Sequence, residues 1–387
     1  MSVEIVSLGC RMNLAESERM RALLADERDM VVINSCAVTA EAVRQTRQAI
    51  RRARRNRPDA RLMVTGCAVE VERDAISALG VDGLIPNADK LDARAWNVPP
   101  AAFPLPSDQH TRAFVAVQNG CDHACTFCII PAGRGPSRSR SIAEVVAEIQ
   151  AHVSHGIAEV VLTAVDLTGW AQEGQRLGDL VAAVLRAVPE LPRLRLSSLD
   201  GVEIDPLLRE IIASEARVMP HLHLSLQHGA DLILKRMKRR HLRADAVELV
   251  ADLTARRPDI AVGADLIAGF PTEDDAAHAD NLSIIAALNI VHGHVFPFSP
   301  RATTPAARMP QLPRPIVTER AAELRAAVAD QRARWLTAQI GQPQRVLAER
   351  DGTGHAENFA RIALPPGTAA GQIIAITPTH IAEGLLA

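Results

Sequence analysis

The chain has no tyrosine, and aromatic residues make up only 3% of its 387 positions. Stacking platforms of the kind that hold unpaired bases are therefore scarce. No run of about 18 apolar residues occurs, so no transmembrane helix is predicted. The opening Met-Ser-Val-Glu-Ile-Val reads as a strand and lacks a signal-peptide pattern, so a cytoplasmic protein without membrane contact is expected. A strong charge of one sign is also missing, the formal balance being −2 at pH 7. Contact with nucleic acid must then come from local basic patches. Six cysteines in so long a chain do not suggest a disulfide framework and point instead to metal binding or catalysis. Length and a 48% hydrophobic content suit two or three globular domains.

What is present centres on Cys121-Asp-His-Ala-Cys125-Thr-Phe-Cys128, three cysteines separated by three and then two residues. Thiolates are soft ligands that suit iron–sulfur clusters or zinc. Three of them hold three irons of a four-iron cluster and leave the fourth iron open to a small molecule, unlike the four-cysteine sets of ferredoxins. No fourth cysteine or paired histidine follows at zinc-like spacing. The polar loop begins at Gly120, which argues against three thiols buried merely as core.

In residues 1–97, three short apolar runs (3–9, 30–35 and 61–66) lead into Cys10, Cys36 and Cys67. They read as buried strands, and helical patterns at 14–25 and 40–57 alternate with them, giving an α/β layer with a parallel sheet. Ligands of such sheets sit at the carboxyl ends of strands, so the three cysteines are expected to converge there and to hold a second cluster with one open iron. The helix at 40–57 carries arginines from Arg44 to Arg57, with Val43, Ile50 and Ala53 as a separate apolar stripe. Its basic side suits phosphates, and equally a solvated face.

Residues 98–111 are proline-rich and predict an extended linker. Between 112 and 335, six strand-like runs at 112–118, 159–165, 193–198, 221–227, 260–267 and 291–296 each precede a helical pattern. Six βα units are too few to close an eight-stranded barrel, so an open, partial barrel is expected. In His221-Leu-His-Leu-Ser-Leu-Gln227 the leucines share one face and the polar residues the other, predicting a polar lumen to which Asp265, His292 and His294 also belong. These histidines are read as hydrogen-bonded structural groups rather than metal ligands. Residues 336–387 contain short β runs between Gly/Pro turns and predict a small β domain with few basic residues.

The Cys121–Cys128 run resembles the signature of radical S-adenosylmethionine (SAM) enzymes. Its flanks, from Val117-Gln-Asn-Gly to Cys128-Ile-Ile-Pro131 and then Gly133-Arg-Gly-Pro-Ser-Arg-Ser139, are similar to the methylthiotransferase branch of that superfamily. Cys10-Arg-Met-Asn13 with Glu16-Ser17-Glu18, Asn34-Ser-Cys-Ala-Val-Thr39 and Thr65-Gly-Cys67 resemble the ligand motifs of its N-terminal domain. Pro86-Asn-Ala-Asp-Lys90 departs from the usual Gly-Asn, a change not expected to matter for cluster binding. Gly354-His-Ala-Glu-Asn-Phe359 resembles the TRAM module, which binds RNA.

The resemblance implies two [4Fe-4S] clusters. One, on Cys121, Cys125 and Cys128, would bind SAM and, given an electron from a reduced flavodoxin-like or ferredoxin-like donor, generate a 5′-deoxyadenosyl radical. The other, on Cys10, Cys36 and Cys67, would supply sulfur, and a second SAM the methyl group. Asp166 would help hold the SAM amino group, with Ser197, Ser198 and Gln227 near SAM. The substrate would be tRNA in its anticodon region. The Ala-Val-Thr-Ala-Glu-Ala run after Cys36 and the segment before Phe359 look most like the group acting on threonylcarbamoyladenosine (t6A). Isopentenyladenosine in tRNA and ribosomal protein S12 are the alternatives within this chemistry. A non-enzymatic iron–sulfur RNA-binding protein is the alternative outside it.

Overall fold

The structure is a computed structural model that describes residues 3–100 and 111–387. Residues 101–110 of the linker expected at 98–111 therefore lie outside the described residues. Four strands, β1 (Glu4–Ser7), β2 (Met30–Ser35), β3 (Arg61–Gly66) and β4 (Gly83–Leu84), form a parallel sheet in that order. All six residues of β2 are buried, as a central strand with both faces covered requires. Ser7 pairs with Asn34, and Asn34 with Thr65. This register brings the chain just beyond each strand, with Cys10, Cys36 and Cys67, to one edge of the sheet.

The helix α1 (Arg11–Leu23) follows Cys10, and α2 (Ala40–Asn56) follows Cys36. The Thr39 side chain caps α2 by accepting from the Ala42 amide at 3.1 Å. Val43, Thr46 and Ile50 are the buried residues of α2, so its arginines lie on the other side.

Six parallel strands follow: β5 (Ala113–Asn119), Glu159–Ala164, Arg193–Leu196, His221–Gln227, Ala261–Ala268 and Ile290–Pro297. They form two three-stranded parallel groups, joined by bridges from Leu194 to Val218 and from Leu199 to Leu224. The expected partial barrel is thus present, with α1 packed beside β5. Val115, Leu162, Leu194, Leu224 and Leu266 are buried together with the helix residues Ile149, Leu180 and Leu253. Apolar strand faces point outward to the helices, which leaves the alternate polar residues for the lumen.

Thr272 has a φ of +70°, and its hydroxyl turns back to the Pro271 carbonyl, so it does not cap the helix that follows. The cap of the helix Asp275–Ala287 is Asp274, which accepts from the Ala277 amide at 2.8 Å. A carboxylate two residues later serves the helix N-terminus better than a hydroxyl locked in a turn.

A helix from Arg314 to Gln339 leads to a six-stranded C-terminal sheet. That sheet sits against the barrel at the amino ends of its strands. Arg193 donates to the Arg345 carbonyl at 2.7 Å, and Arg195 to the Glu357 carbonyl at 3.1 Å. No helix among the described residues is long and apolar enough to cross a membrane.

Candidate active site

The loop that follows β5 is set by Gly120. Its φ is +79°, and a Cβ there would stand 1.9 Å from the Pro136 carbonyl oxygen. Only glycine fits this approach. The amide of Cys121 then donates to the Gly135 carbonyl at 3.1 Å, which fixes the start of the cysteine loop.

Each sulfur of this loop accepts one hydrogen bond. The His123 amide reaches the Cys121 Sγ at 3.4 Å, the Ile130 amide reaches the Cys128 Sγ at 3.4 Å, and the Arg239 guanidinium reaches the Cys125 Sγ at 3.7 Å. Donors aimed at sulfur suit thiolates that carry negative charge in a cluster. Burial pushes the Cys121 thiol up to about 11 and the Cys128 thiol to about 12. Such thiols ionise only against a cation that offsets their desolvation, as bound iron does.

The second cysteine set has the same character. Cys36 and Cys67 are buried and Cys10 is exposed. Burial raises the Cys36 thiol to about 11, and negative charge on Cys10 or Cys67 would raise it further, so the three lie within electrostatic reach of one another. Gly9, at φ +95°, leaves room for Cys36, whose Cβ and Sγ would lie 2.7 Å from a Cβ at position 9.

One cavity of about 390 Å³ is lined by cysteines of both sets, although Cys36 and Cys67 are buried and do not line it. Cys10 lines it together with Cys121, Cys125 and Cys128. Of the residues expected near SAM, Asp166, Ser198 and Gln227 line this cavity, whereas Ser197 is buried and does not. Gln227 has φ +73°, a strained value for a residue with a side chain, where the strand slips register against its neighbour. Asp166 is held 3.2 Å from His123 Nε2, and burial raises its pKa. Ser198 Oγ has no hydrogen-bond partner among the described residues, a free polar group at the cavity wall.

Sequence reasoning misses the charged scaffold around these loops. Arg239 donates to Asp200 at 3.0 Å and to the Ser225 carbonyl at 2.7 Å, so one side chain ties the Cys125 sulfur to two strand ends. Arg134, just past the cysteine loop, reaches Glu16 and Asn13 of α1. Lys90 meets the same Glu16 at 2.5 Å. Asn87 donates to the Gly133 carbonyl at 2.6 Å and approaches the Cys67 Sγ at 3.8 Å. The Pro86–Lys90 segment, not expected to matter for cluster binding, therefore touches Cys67 directly. The available signal is the Asn13/Glu16 pattern, two polar residues on a helix turn that faces the core.

Comparison with known proteins agrees with this architecture. Residues 115–282 match the Radical SAM superfamily, and residues 2–85 match Uncharacterized protein family UPF0004. The chain is 42% identical over 404 residues to threonylcarbamoyladenosine tRNA methylthiotransferase MtaB of Rickettsia prowazekii, covering 99% of this chain and 96% of the relative. It is 33% identical over 381 residues to a tRNA-2-methylthio-N(6)-dimethylallyladenosine synthase of Cereibacter sphaeroides, covering 90% and 87%. Among solved structures, the radical SAM methyltransferase TsrM of Kitasatospora setae superposes with a TM-score of 0.59 at 15% identity, covering 79% of this chain and 75% of that one. That likeness concerns the fold alone. The chain belongs to the radical SAM methylthiotransferase family.

Proposed function

We propose that this protein methylthiolates t6A beside the tRNA anticodon, giving the 2-methylthio derivative. The observation that carries the reading is the cavity shared by Cys10 of one set and Cys121, Cys125 and Cys128 of the other. A sulfur-donating centre and a radical-generating centre must reach the same carbon, and one chamber allows that. Greater identity to the t6A-named relative than to the dimethylallyladenosine-named one favours t6A as the substrate.

In this reading Cys121, Cys125 and Cys128 hold a [4Fe-4S] cluster with SAM, and Cys10, Cys36 and Cys67 hold a second. When bound, these groups supply the radical, the sulfur and the methyl group. The chain's own residues position and shield them. Asp166, Ser198 and Gln227 offer polar contacts to SAM, and Phe127, Ile267 and Phe298 form apolar cavity wall that excludes water.

The tRNA has a track to the cavity mouth. Arg44, Arg47, Arg51 and Arg301 line a groove of about 320 Å³ along α2, in which Glu72 pairs with Arg47 and Arg301 and leaves exposed Arg44 and Arg51 for phosphate. Val38 and Thr39, just before that groove, line the cavity itself, and the Ala40 amide donates to Ser299 Oγ at 3.3 Å. Guanidinium groups so placed suit the phosphates on either side of a base turned into the cavity.

The test is mass spectrometry of nucleosides from total tRNA of a deletion strain and its complements. Loss of 2-methylthio-t6A in the deletion, restored by the wild-type gene but not by Cys121→Ala or Cys10→Ala, is the expected result. Unchanged tRNA nucleosides would overturn the tRNA reading and direct attention to ribosomal protein S12. A reconstituted, reduced protein that forms no 5′-deoxyadenosine from SAM would instead favour an iron–sulfur protein that binds RNA without acting on it.

A further inference from the structure

The lower lumen of the barrel holds polar groups that neither the cysteines nor the expected SAM contacts employ. Arg11 directly follows Cys10 and opens α1. Among the described residues its guanidinium has no hydrogen-bond acceptor and no carboxylate partner. It lies over the Phe359 ring of the C-terminal sheet, 5.7 Å from the ring centroid. The neighbouring arginines are committed elsewhere: Arg195 meets Glu159 at 3.0 Å, Arg193 meets it at 3.7 Å, and Arg112 pairs with Glu349.

The surroundings of Arg11 are also short of partners. His221 is 8% exposed, and neither of its ring nitrogens has a hydrogen-bond partner among the described residues. Its ring stands 5.0 Å from the same Phe359 ring. Above them, Asp265 Oδ1 is held by His223 Nε2 at 3.1 Å and by His294 Nδ1 at 3.2 Å. Asp265 also lines the cysteine cavity, so it marks where the lower lumen meets the chamber. An unpaired guanidinium and an unpartnered imidazole, both largely out of water, are costly unless a ligand completes them. Their donors call for an anion with hydrogen-bond-accepting oxygens.

We infer that the lower lumen is the subsite for the N6 substituent of the target adenosine, and that Arg11 pairs with the free carboxylate of its threonyl group. This inference rests on the t6A reading above. With C2 of the base facing the cysteine sets, the N6 arm is directed away from them and down the lumen. Arg11 then acts as a specificity residue, because an apolar N6 arm would leave its charge unpaired. The other carboxylate in the reaction is that of SAM, which belongs at the cysteine loop.

The experiment measures the Kd of the cluster-loaded protein for an anticodon stem-loop carrying t6A, and for the same stem-loop with the threonine carboxylate converted to its amide. Wild type, Arg11→Gln and Arg11→Lys are compared, and the KM for SAM in SAM cleavage is recorded for each. Wild type is expected to prefer the acid by about ten-fold, Arg11→Gln to bind both forms alike, and Arg11→Lys to keep most of the preference, all with an unchanged KM for SAM. Equal binding of acid and amide by wild type overturns the subsite while leaving t6A as the substrate. A preference that survives in Arg11→Gln, or a raised KM for SAM, overturns the role given to Arg11. If wild type binds neither stem-loop more tightly than unmodified RNA, the t6A reading falls and the subsite with it.

Discussion

Arg134, beside the cysteine loop of the barrel, and Glu16, on α1, meet in a two-point ion pair at 2.7 and 3.1 Å, with side chains 1% and 0% exposed. Burial alone would raise the Glu16 pKa, but Lys90 and Arg134 reverse this and hold it below the ordinary glutamate value. The two cysteine loops are thus fastened by one carboxylate between two cations. Glu16→Gln leaves Lys90 and Arg134 buried without their counter-charge and is expected to cost about 3–5 kcal/mol in denaturant unfolding of the cluster-free protein. An effect below about 1 kcal/mol would mean that water enters and screens the pair.

Gly120 permits the turn into Cys121. Gly120→Ala meets the Pro136 carbonyl and a positive φ together, so the first cysteine loop must move. The expected outcome is that bound iron after reconstitution falls by about half, as the Cys10 set keeps its cluster. SAM cleavage is abolished in the same sample. Full iron content with active SAM cleavage would refute this.

The groove along α2 gives a prediction readable in salt. Arg51 is exposed, and Arg44 is paired only with exposed Glu41, so both are available to phosphate. Arg51→Ala is expected to weaken stem-loop binding without regard to the N6 group. It should also lower the slope of log K against log salt by about 0.9 for each phosphate that is no longer neutralised. A drop in affinity with no change in slope would remove the groove from the RNA path.

Glu159, 0% exposed at the foot of the barrel, supplies a pH prediction. Burial works to raise its pKa, but Arg195, Arg112 and Arg193 outweigh it and hold the carboxyl at about 2 against the ordinary 4.5. In this window the unfolded chain takes up the proton first. The stabilisation is therefore full above pH 4.5 and is lost as pH falls toward 2. The loss is on the order of 3 kcal/mol. Urea unfolding of the cluster-free protein from pH 6 to pH 2 should show this slope, and Glu159→Gln should flatten it while lowering stability at pH 7.

Much of this arrangement is legible because it is written in local pattern. The spacing of Cys121, Cys125 and Cys128 announces a ligand set, and the apolar runs before Cys10, Cys36 and Cys67 announce strand ends. Alternation in His221–Gln227 announces a polar lumen, and His223 duly faces Asp265. What stays hidden depends on tertiary meetings. Glu16 and Arg134 are 118 positions apart, and charged residues read singly look like surface. Lys90 and Asn87 stand in a segment that its sequence sets aside, because their contacts with Glu16, Gly133 and Cys67 are also tertiary. Arg11 reads only as part of a motif around Cys10, since a missing partner is visible only once all neighbours are placed.

Phe359 stands at the foot of the barrel with Arg195 4.7 Å above its ring and His355 stacked on it at 4.5 Å. The C-terminal sheet thereby closes the barrel from below. If the lower lumen takes the N6 arm, as inferred above, the place of Phe359 limits the length of arm that can be accepted, from a position well away from the cysteines.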